Sequence, residues 1–295
     1  MSEPVVVSPV AAGVDARSLA ASGHGRVRQR RRMNGTLLIG LGLLGVIMVI
    51  AIAGPLLISY QPDDFGDPLQ APTWSHPFGT DNFGRDVATR VVHAAHLNLL
   101  IGLVPTAITL VTGVVIGAIA GYYGGKVDTL IMRLVDVVVA FPFFVLVIGI
   151  VAMLGPGLRN LFVGIALVGW VSYARLTRGE ILVAKHQEYI LAARTLGCSS
   201  MRIIVRHLLP NVISVAIVYA MSDAVLNILL GAALSFLGLG VQPPTPEWGS
   251  MIQESRNFIR QSWWMPTFPG LAILVAGIAF SLIGDGLAER FQTGR

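Results

Sequence analysis

The 295-residue chain is too apolar to be a soluble protein. Apolar residues make up 54% of it and charged residues only 13%, where a soluble domain carries about 25% charged residues. Its mean hydropathy is +0.71. The composition therefore excludes a water-soluble monomer and indicates an integral membrane protein whose apolar surface faces lipid. The single cysteine, Cys198, excludes a disulfide framework within the chain and a cysteine-based zinc site.

Six apolar runs are candidates for membrane-spanning helices, for which about 20 apolar residues are needed. They cover residues 37–58, 99–120, 134–154, 161–176, 212–239 and 268–287, and the fourth is short. Runs of this length favour helices over a β-barrel, whose strands would alternate over about ten residues. The first run has the basic flank of a signal peptide but is too long for one, so we expect a retained helix. The prediction is an all-α membrane protein with six transmembrane helices.

Basic residues are concentrated in one set of the predicted loops. They cluster at residues 26–32, between spans two and three, between spans four and five, and after span six. Because loops rich in arginine and lysine stay in the cytoplasm, we expect both termini to be cytoplasmic. This distribution explains the isoelectric point near 9.8 without nucleic acid as a partner. Residues 1–34 are predicted to form a disordered basic tail, and residues 35–295 the transmembrane domain.

Two predicted external loops, residues 61–98 and 241–266, are long enough to present a specific surface. The first carries glycines whose spacing suggests tight turns. The second carries three prolines that forbid a continuous helix, and tryptophans that fit an aromatic belt at the membrane interface. Both loops either cap the helix bundle or dock a partner protein. The docking hypothesis names polar and aromatic side chains: Asp81, Arg85, Asp86, Trp248 and Trp263.

The segment 177–211 is expected on the cytoplasmic side and is too polar to span the membrane. Good helix formers at 188–196 and 201–208 predict two short helices joined by a bend at Gly197. Ser199 can cap the second helix because its hydroxyl accepts free backbone N–H groups, and Pro210 is expected to end that helix. Short amphipathic helices of this kind either insert into a groove of another protein or lie on the lipid surface.

The sequence contains no recognisable catalytic motif. Neither Lys126 nor Lys185 fits the phosphate-binding loop G-x-x-x-x-G-K-[ST], and the two histidines of the first external loop lack a third ligand, so no metal site is predicted. Inside the spans, Asp223 is the strongest functional candidate because charges at membrane depth are costly. Asn227 lies one turn further on. The pair either lines a transport pathway or joins helices by hydrogen bonds.

One run in the cytoplasmic segment resembles the EAA loop of ABC importer permeases. That loop reads E-A-A, three residues, Gly, nine residues and I-x-L-P, and ILAARTLGCSSMRIIVRHLLPN at 190–211 has this spacing. Leu191 stands in place of the glutamate, and His207 in place of the isoleucine. The resemblance implies contact with an ATPase subunit for the following residues: Glu188, Ala192, Ala193, Arg194, Gly197, Arg202, Arg206, His207, Leu209 and Pro210.

Three further strings are similar to the C-type permease of dipeptide, oligopeptide and nickel importers. They are HPFGTDNFGRDV at 76–87, AGYYGGKVDTLIMRLVDVVVAFP at 120–142 and LSFLGLGVQPPTPEWGSM at 234–251. The resemblance covers about residues 35–290 and departs at Gly231, where many relatives carry an acidic residue. It implies a type I ABC importer permease fold with a cytoplasmic coupling helix.

The resemblance also implies one subunit of a larger machine in the bacterial plasma (inner) membrane. Its partners would be a homologous B-type permease, two ABC ATPase subunits or one fused ATPase, an extracytoplasmic peptide-binding protein and the lipid bilayer. ATP and Mg would bind to the ATPase subunits, and this chain would bind no cofactor and catalyse no reaction. Di- or oligopeptides would cross by alternating access. Two alternatives remain: the same machine carrying nickel or a metal chelate, and a proton-driven secondary transporter that uses Asp223.

Overall fold

The computed structural model describes residues 34–57 and 61–292, and the helices are the only regular elements in these ranges. Apart from Asn34, the predicted basic tail lies outside the described residues. The helices are α1 (Gly35–Leu57), α2 (Val87–Tyr123), α3 (Gly125–Val139), α4 (Phe143–Leu154), α5 (Leu158–Ala184), α6 (Glu188–Thr195), α7 (Ser200–Phe236), α8 (Trp248–Ser255) and α9 (Trp264–Gln292).

Five helices in the described part of the chain are long and apolar enough to cross a membrane: α1, α2, α5, α7 and α9. The pair α3 and α4 meets the same criterion only together, so the fold offers six spans when this pair is counted as one. The expected all-α, multi-pass fold is therefore confirmed. The short fourth run belongs to a longer helix, because α5 continues past its arginines to Ala184.

The third predicted span, residues 134–154, is not one continuous helix. α3 ends at Val139, α4 begins at Phe143, and the two helices are bent by 82°. Pro142 lies in this break. Its ring disfavours helical backbone at the preceding residue, Phe141, and its nitrogen cannot donate a backbone hydrogen bond. One proline within an otherwise uninterrupted apolar run therefore divides the predicted third span into two helices.

The helix α2 is central to the bundle because it packs against α1, α5 and α7. Three of its glycines, Gly113, Gly117 and Gly121, follow each other at four-residue spacing along the contact with α5. A Cβ atom added at Gly113 or Gly117 would lie 2.4 Å from the carbonyl oxygen of Trp170 or Ala174, respectively. Small residues at this spacing let two membrane helices approach closely. The sequence therefore brings the middle parts of α2 and α5 together.

The residues 61–86 and 241–263, here called the loop cap, pack at one end of the bundle. The predicted loop 61–98 is shorter than expected because α2 already begins at Val87, and the loop 241–266 contains α8. Asp86 caps α2, since its Oδ1 accepts hydrogen bonds from the Thr89 backbone N–H at 2.7 Å and from Thr89 Oγ1 at 2.8 Å. Trp248 Nε1 donates to the carbonyl oxygen of Val91 at 3.1 Å. These contacts fasten the loops to the helices.

Candidate functional site

The predicted bend between α6 and α7 is present and is built by a Schellman motif. Gly197 has a φ of +76°, a backbone conformation that glycine adopts without steric cost. Its N–H donates to the carbonyl of Arg194 at 2.9 Å, and the N–H of Cys198 donates to that of Ala193 at 3.1 Å, the two bonds of the motif. No heavy atom lies within 4 Å of the position that a Cβ of residue 197 would take. The glycine is therefore needed for its backbone conformation and not for packing within this chain.

The helix α7 begins at the predicted serine cap but does not end where predicted. Ser199 Oγ accepts a hydrogen bond from the N–H of Arg202 at 3.4 Å. The expected end at Pro210 is wrong, because α7 continues to Phe236. Its stretch Ile203–Leu208 is π-helical, and the N–H of Leu209 donates to the carbonyl of Ile204, five residues earlier. This wider turn accommodates the ring and the missing N–H of Pro210.

One face of residues 188–210, here called the bent segment, is anchored in the bundle. Ile190 and Ile203 are fully buried and belong to one apolar cluster with Ala118 of α2 and Ile181 of α5. Ala193 is buried in the same cluster, so it is not available for the direct contact with an ATPase that its place in the EAA-like run suggested. Its small side chain instead lets α6 pack closely on the bundle.

The remaining candidates of the bent segment are accessible. Exposed are Glu188, Ala192, Arg194, Gly197, Arg202, Arg206 and Pro210, whereas His207 and Leu209 are half-buried. Large apolar side chains of the same segment are exposed as well: Tyr189, Leu191, Leu196, Met201 and Val205. Leu196 has 82% of its surface accessible. Sequence reasoning missed this set because leucine and methionine in a helix usually indicate a buried face. Exposed apolar residues interspersed with arginines are typical of a protein interface.

Arg194 is exposed, but its guanidinium also contacts the bundle. Its Cζ lies 5.3 Å from the centroid of the Tyr122 ring at the end of α2. A cation over an aromatic face is attracted by the ring. This contact joins α6 to α2 next to the bend.

The predicted pair Asp223 and Asn227 belongs to a polar cluster between α2, α5 and α7. Tyr173 Oη donates to Asp223 Oδ2 at 2.9 Å. Asn227 Nδ2 lies 3.4 Å from the same oxygen and donates to Thr106 Oγ1 at 2.8 Å. Tyr173 and Asn227 are fully buried, whereas Asp223 is half-buried. Hydrogen bonding between helices is therefore confirmed for both predicted residues, and the sequence analysis did not identify Tyr173 and Thr106 as their partners.

A buried ion network holds the loop cap to α2. Asp81 Oδ2 accepts hydrogen bonds from Arg85 Nε and Arg90 Nη1, both at 2.6 Å. Glu254 Oε2 accepts from Arg85 Nη2 at 2.6 Å and from Arg90 Nη1 at 3.0 Å. Arg90 is only 1% exposed. The charges of two acids and two arginines thus compensate each other. The sequence did not indicate Arg90 and Glu254, because both lie in predicted loops, where charged residues usually face water.

Four of the five residues proposed for docking are not surface residues. Asp81, Arg85, Asp86 and Trp248 are buried, so the expectation that they face a partner protein is wrong for this structure. Their physical role is to close the ion network, to cap α2 and to fill the core. Trp263 is 57% exposed and remains a candidate, and Trp74, which the sequence analysis did not single out, is fully exposed.

Glu247 is a further buried acid of the loop cap. Its carboxylate oxygens accept hydrogen bonds from the N–H groups of Gly249 and Ser250, each at 2.8 Å, and thereby cap α8. Burial raises the pKa of the Glu247 carboxyl, and the hydrogen bonds from the two backbone N–H groups oppose that rise. The residue thus combines a favourable cap with an unfavourable burial of charge.

Comparison with solved structures identifies a similar fold. An inward-facing form of the MetNI methionine ABC transporter matches with a TM-score of 0.55 over 68% of this chain and 96% of that chain, at 19% identity. This likeness shows the fold. The bundle of spanning helices therefore has a fold similar to that of this structure.

Comparison with families and with curated proteins is more specific. The family model described as "Binding-protein-dependent transport system inner membrane component" matches residues 113–294, which is more than half of the chain. A dipeptide transport system permease protein of Alkalihalophilus pseudofirmus is 42% identical over 88% of this chain and 86% of its own length. A di/tripeptide permease of Pseudomonas aeruginosa is 41% identical over 84% and 85%, and a glutathione permease of Pectobacterium atrosepticum is 37% identical over 88% of each chain.

The chain belongs to this family of inner membrane components of binding-protein-dependent transport systems. The resemblance to ABC importer permeases seen in the sequence is thereby confirmed. The protein is a multi-pass permease that works as one component of an ABC transport system.

Proposed function

We propose that this chain is the permease subunit of an importer that carries di- or oligopeptides across the bacterial plasma membrane, driven by ATP hydrolysis. The relatives named for dipeptide, di/tripeptide and glutathione transport match along most of their length, which supports a peptide substrate. In this proposal both termini and the bent segment are cytoplasmic, and the loop cap lies outside. A homologous permease would complete the pathway, because one chain offers a single bent segment to a pair of ATPase subunits.

The observation that carries the proposal is the construction of the bent segment. Its exposed face combines arginines with apolar side chains, and its other face is anchored in the core by Ile190 and Ile203. The helix α7 is continuous for 37 residues from Ser200 to Phe236. A displacement of the bent segment by an ATPase would therefore move the same helix that carries Asp223 in the middle of the bundle. ATP and Mg would act on the ATPase subunits, and this chain would convert their motion into alternating access.

Substitution of Gly197 tests the coupling. Gly197→Asp adds a carboxylate that would lose its hydration in an ATPase groove, whereas within this chain no heavy atom lies within 4 Å of the added Cβ. We expect uptake and peptide-stimulated ATP hydrolysis to be abolished in reconstituted complexes, with normal insertion and folding of the subunit. Gly238→Asp is the matched control, because Gly238 has a similar φ of +77° and also has no heavy atom near its Cβ position.

The two variants separate coupling from backbone strain. Equal losses of uptake in Gly197→Asp and Gly238→Asp would indicate backbone strain alone. Near-normal uptake by Gly197→Asp would mean that the bent segment lies on the lipid surface. The wild-type complex tests the substrate in the same assay. Uptake of nickel but not of labelled peptides would contradict the peptide proposal, and uptake without ATPase subunits would favour a proton-driven transporter.

A further inference from the structure

Resting on the proposed function, we infer that Asp223 contacts the substrate on the transport pathway, where its carboxylate pairs with the α-ammonium group of a passing peptide. Tyr173, Asn227 and Thr106 are positioning residues in this inference. Three observations support it: the way the carboxylate is held, the absence of a cation beside it among the described residues, and its partial exposure.

The carboxylate is held in a fixed orientation from three helices. Tyr173 of α5 and Asn227 of α7 both direct donors at Asp223 Oδ2, and Asn227 is itself fixed by its hydrogen bond to Thr106 of α2. The Tyr173 ring is further restrained by an edge-on contact with Tyr219, with ring centroids 4.9 Å apart. A site held by buried, hydrogen-bonded neighbours keeps its geometry when a ligand arrives.

Two acids of α3 have a cation beside them, whereas Asp223 has none among the described residues. Asp128 pairs with Arg178 and Asp136 pairs with Arg175, so those charges are balanced within the chain. Among residues 34–57 and 61–292, no Lys, Arg or His forms an ion pair with Asp223. Its donors, among them the Tyr173 phenol and the Asn227 amide, are uncharged, so they orient a carboxylate but do not neutralise it. Within the described residues, the carboxylate is therefore left able to pair with a cation of the substrate.

The accessible side of Asp223 indicates where this cation comes from. Asp223 is half-buried, and its neighbour Ser222 is exposed. A carboxylate facing hydrocarbon is costly, so acids at membrane depth face protein or a water-filled cavity. In a transport subunit with a partner permease, such a surface is the pathway between the two chains. A peptide carries an α-ammonium group through that pathway, and the charged hydrogen bond would offset the loss of its hydration.

The test is uptake by the complete complex in liposomes, with alanine di- and tripeptides whose only cation is the α-ammonium group. Asp223→Asn keeps the shape and removes the charge. We expect it to lower the uptake rate at saturating peptide by at least about tenfold, as for loss of a desolvated charged hydrogen bond. Asp223→Glu should restore part of the rate. Tyr173→Phe keeps the charge and should slow uptake less than Asp223→Asn does.

Two further measurements separate this role from a structural one. The thermal stability of the complex and its recovery of the partner permease should be unchanged by Asp223→Asn. Wild-type uptake by this variant would overturn the inference, and so would a loss of uptake that follows a loss of stability or of the partner permease. If the wild-type complex itself imports no peptide, the proposed function and this inference fail together. If the wild-type complex imports peptide and Asp223→Asn imports it at the same rate, the proposed function stands and the inference about Asp223 fails.

Discussion

The bent segment and the loop cap use their charged residues in opposite ways. In the bent segment, Glu188 and Arg202 are exposed, and the structure is held by apolar contacts and by the backbone conformation of Gly197. In the loop cap, Asp81 and Arg85 are buried and hold the structure through an ion network with Arg90 of α2. Charged residues of both regions were expected to meet partner proteins; those named in the bent segment are exposed, whereas those named in the loop cap, Asp81, Arg85 and Asp86, are buried.

The difference follows from the local structure available to each region. A helix sorts its residues by a 3.6-residue period, so charged positions of an amphipathic helix lie on the side away from the core. A loop has no such period, so its turns can direct charged side chains as well as apolar ones into the interior. The backbone of loops needs hydrogen-bond partners, and a buried carboxylate can provide them: Asp81 Oδ1 accepts from the N–H groups of Phe83 and Arg85. Charge therefore indicates exposure in the bent segment and not in the loop cap.

The strongest test of this comparison is removal of the central charge of the network. Arg90→Met keeps much of the apolar stem but leaves Asp81 and Glu254 with Arg85 alone. We expect a loss of about 3–5 kcal/mol in the free energy of unfolding, because a buried carboxylate loses its partner. The measurement is the thermal stability of the subunit in lipid nanodiscs, together with its proteolysis in residues 61–86.

Arg260→Met is the control for Arg90→Met, since Arg260 lies in the loop cap that the network holds to α2 and is exposed. It should change the free energy of unfolding by less than about 0.5 kcal/mol. If both variants lose equally little, the ion network does not stabilise the loop cap, and the contrast with the bent segment would disappear.

Much of the fold was predictable because long apolar runs in the sequence indicate membrane-spanning helices. That argument fails at Pro142, which breaks an apolar run. The expectation that a proline ends a helix fails at Pro210, which a π-helical turn accommodates. The bend at Gly197 was predictable because glycine is favoured at positive φ. The partners of Asp223 were not, because Tyr173 and Thr106 come from helices that are distant in sequence. Their contacts depend on packing that no local pattern specifies.

A smaller effect is expected when a cap inside the loop cap is removed. Glu247→Ala leaves the buried N–H groups of Gly249 and Ser250 without their acceptor. Unsatisfied buried donors destabilise, so we expect a loss of about 2 kcal/mol in the free energy of unfolding. Asp63→Ala, at an exposed position of the same cap, is the control. A loss no larger than the control's would show that α8 does not depend on this cap.

The pH dependence of Glu247 sharpens the same prediction. Since burial raises the pKa of its carboxyl in the folded protein, the native state binds the proton more tightly than the unfolded state. This tighter proton binding stabilises the folded protein fully at pH values below the ordinary pKa of glutamate. The stabilisation decreases as the pH rises through the pKa of Glu247 in the folded protein. Glu247→Gln does not titrate. Its stability relative to wild type should therefore increase with pH, and a constant difference would contradict the effect of burial.

The smallest effect is expected for a charge on the exposed face of the bent segment. Arg194→Ala removes the cation over Tyr122 and should cost only about 0.5–1 kcal/mol, because the contact is open to water. Arg194→Lys keeps a cation but loses the planar group, and should retain part of that stability. In the complete complex, Arg194→Ala should weaken peptide-stimulated ATP hydrolysis less than Gly197→Asp does. A loss of stability as large as that of Arg90→Met would mean that the bent segment, like the loop cap, is held together by its charges.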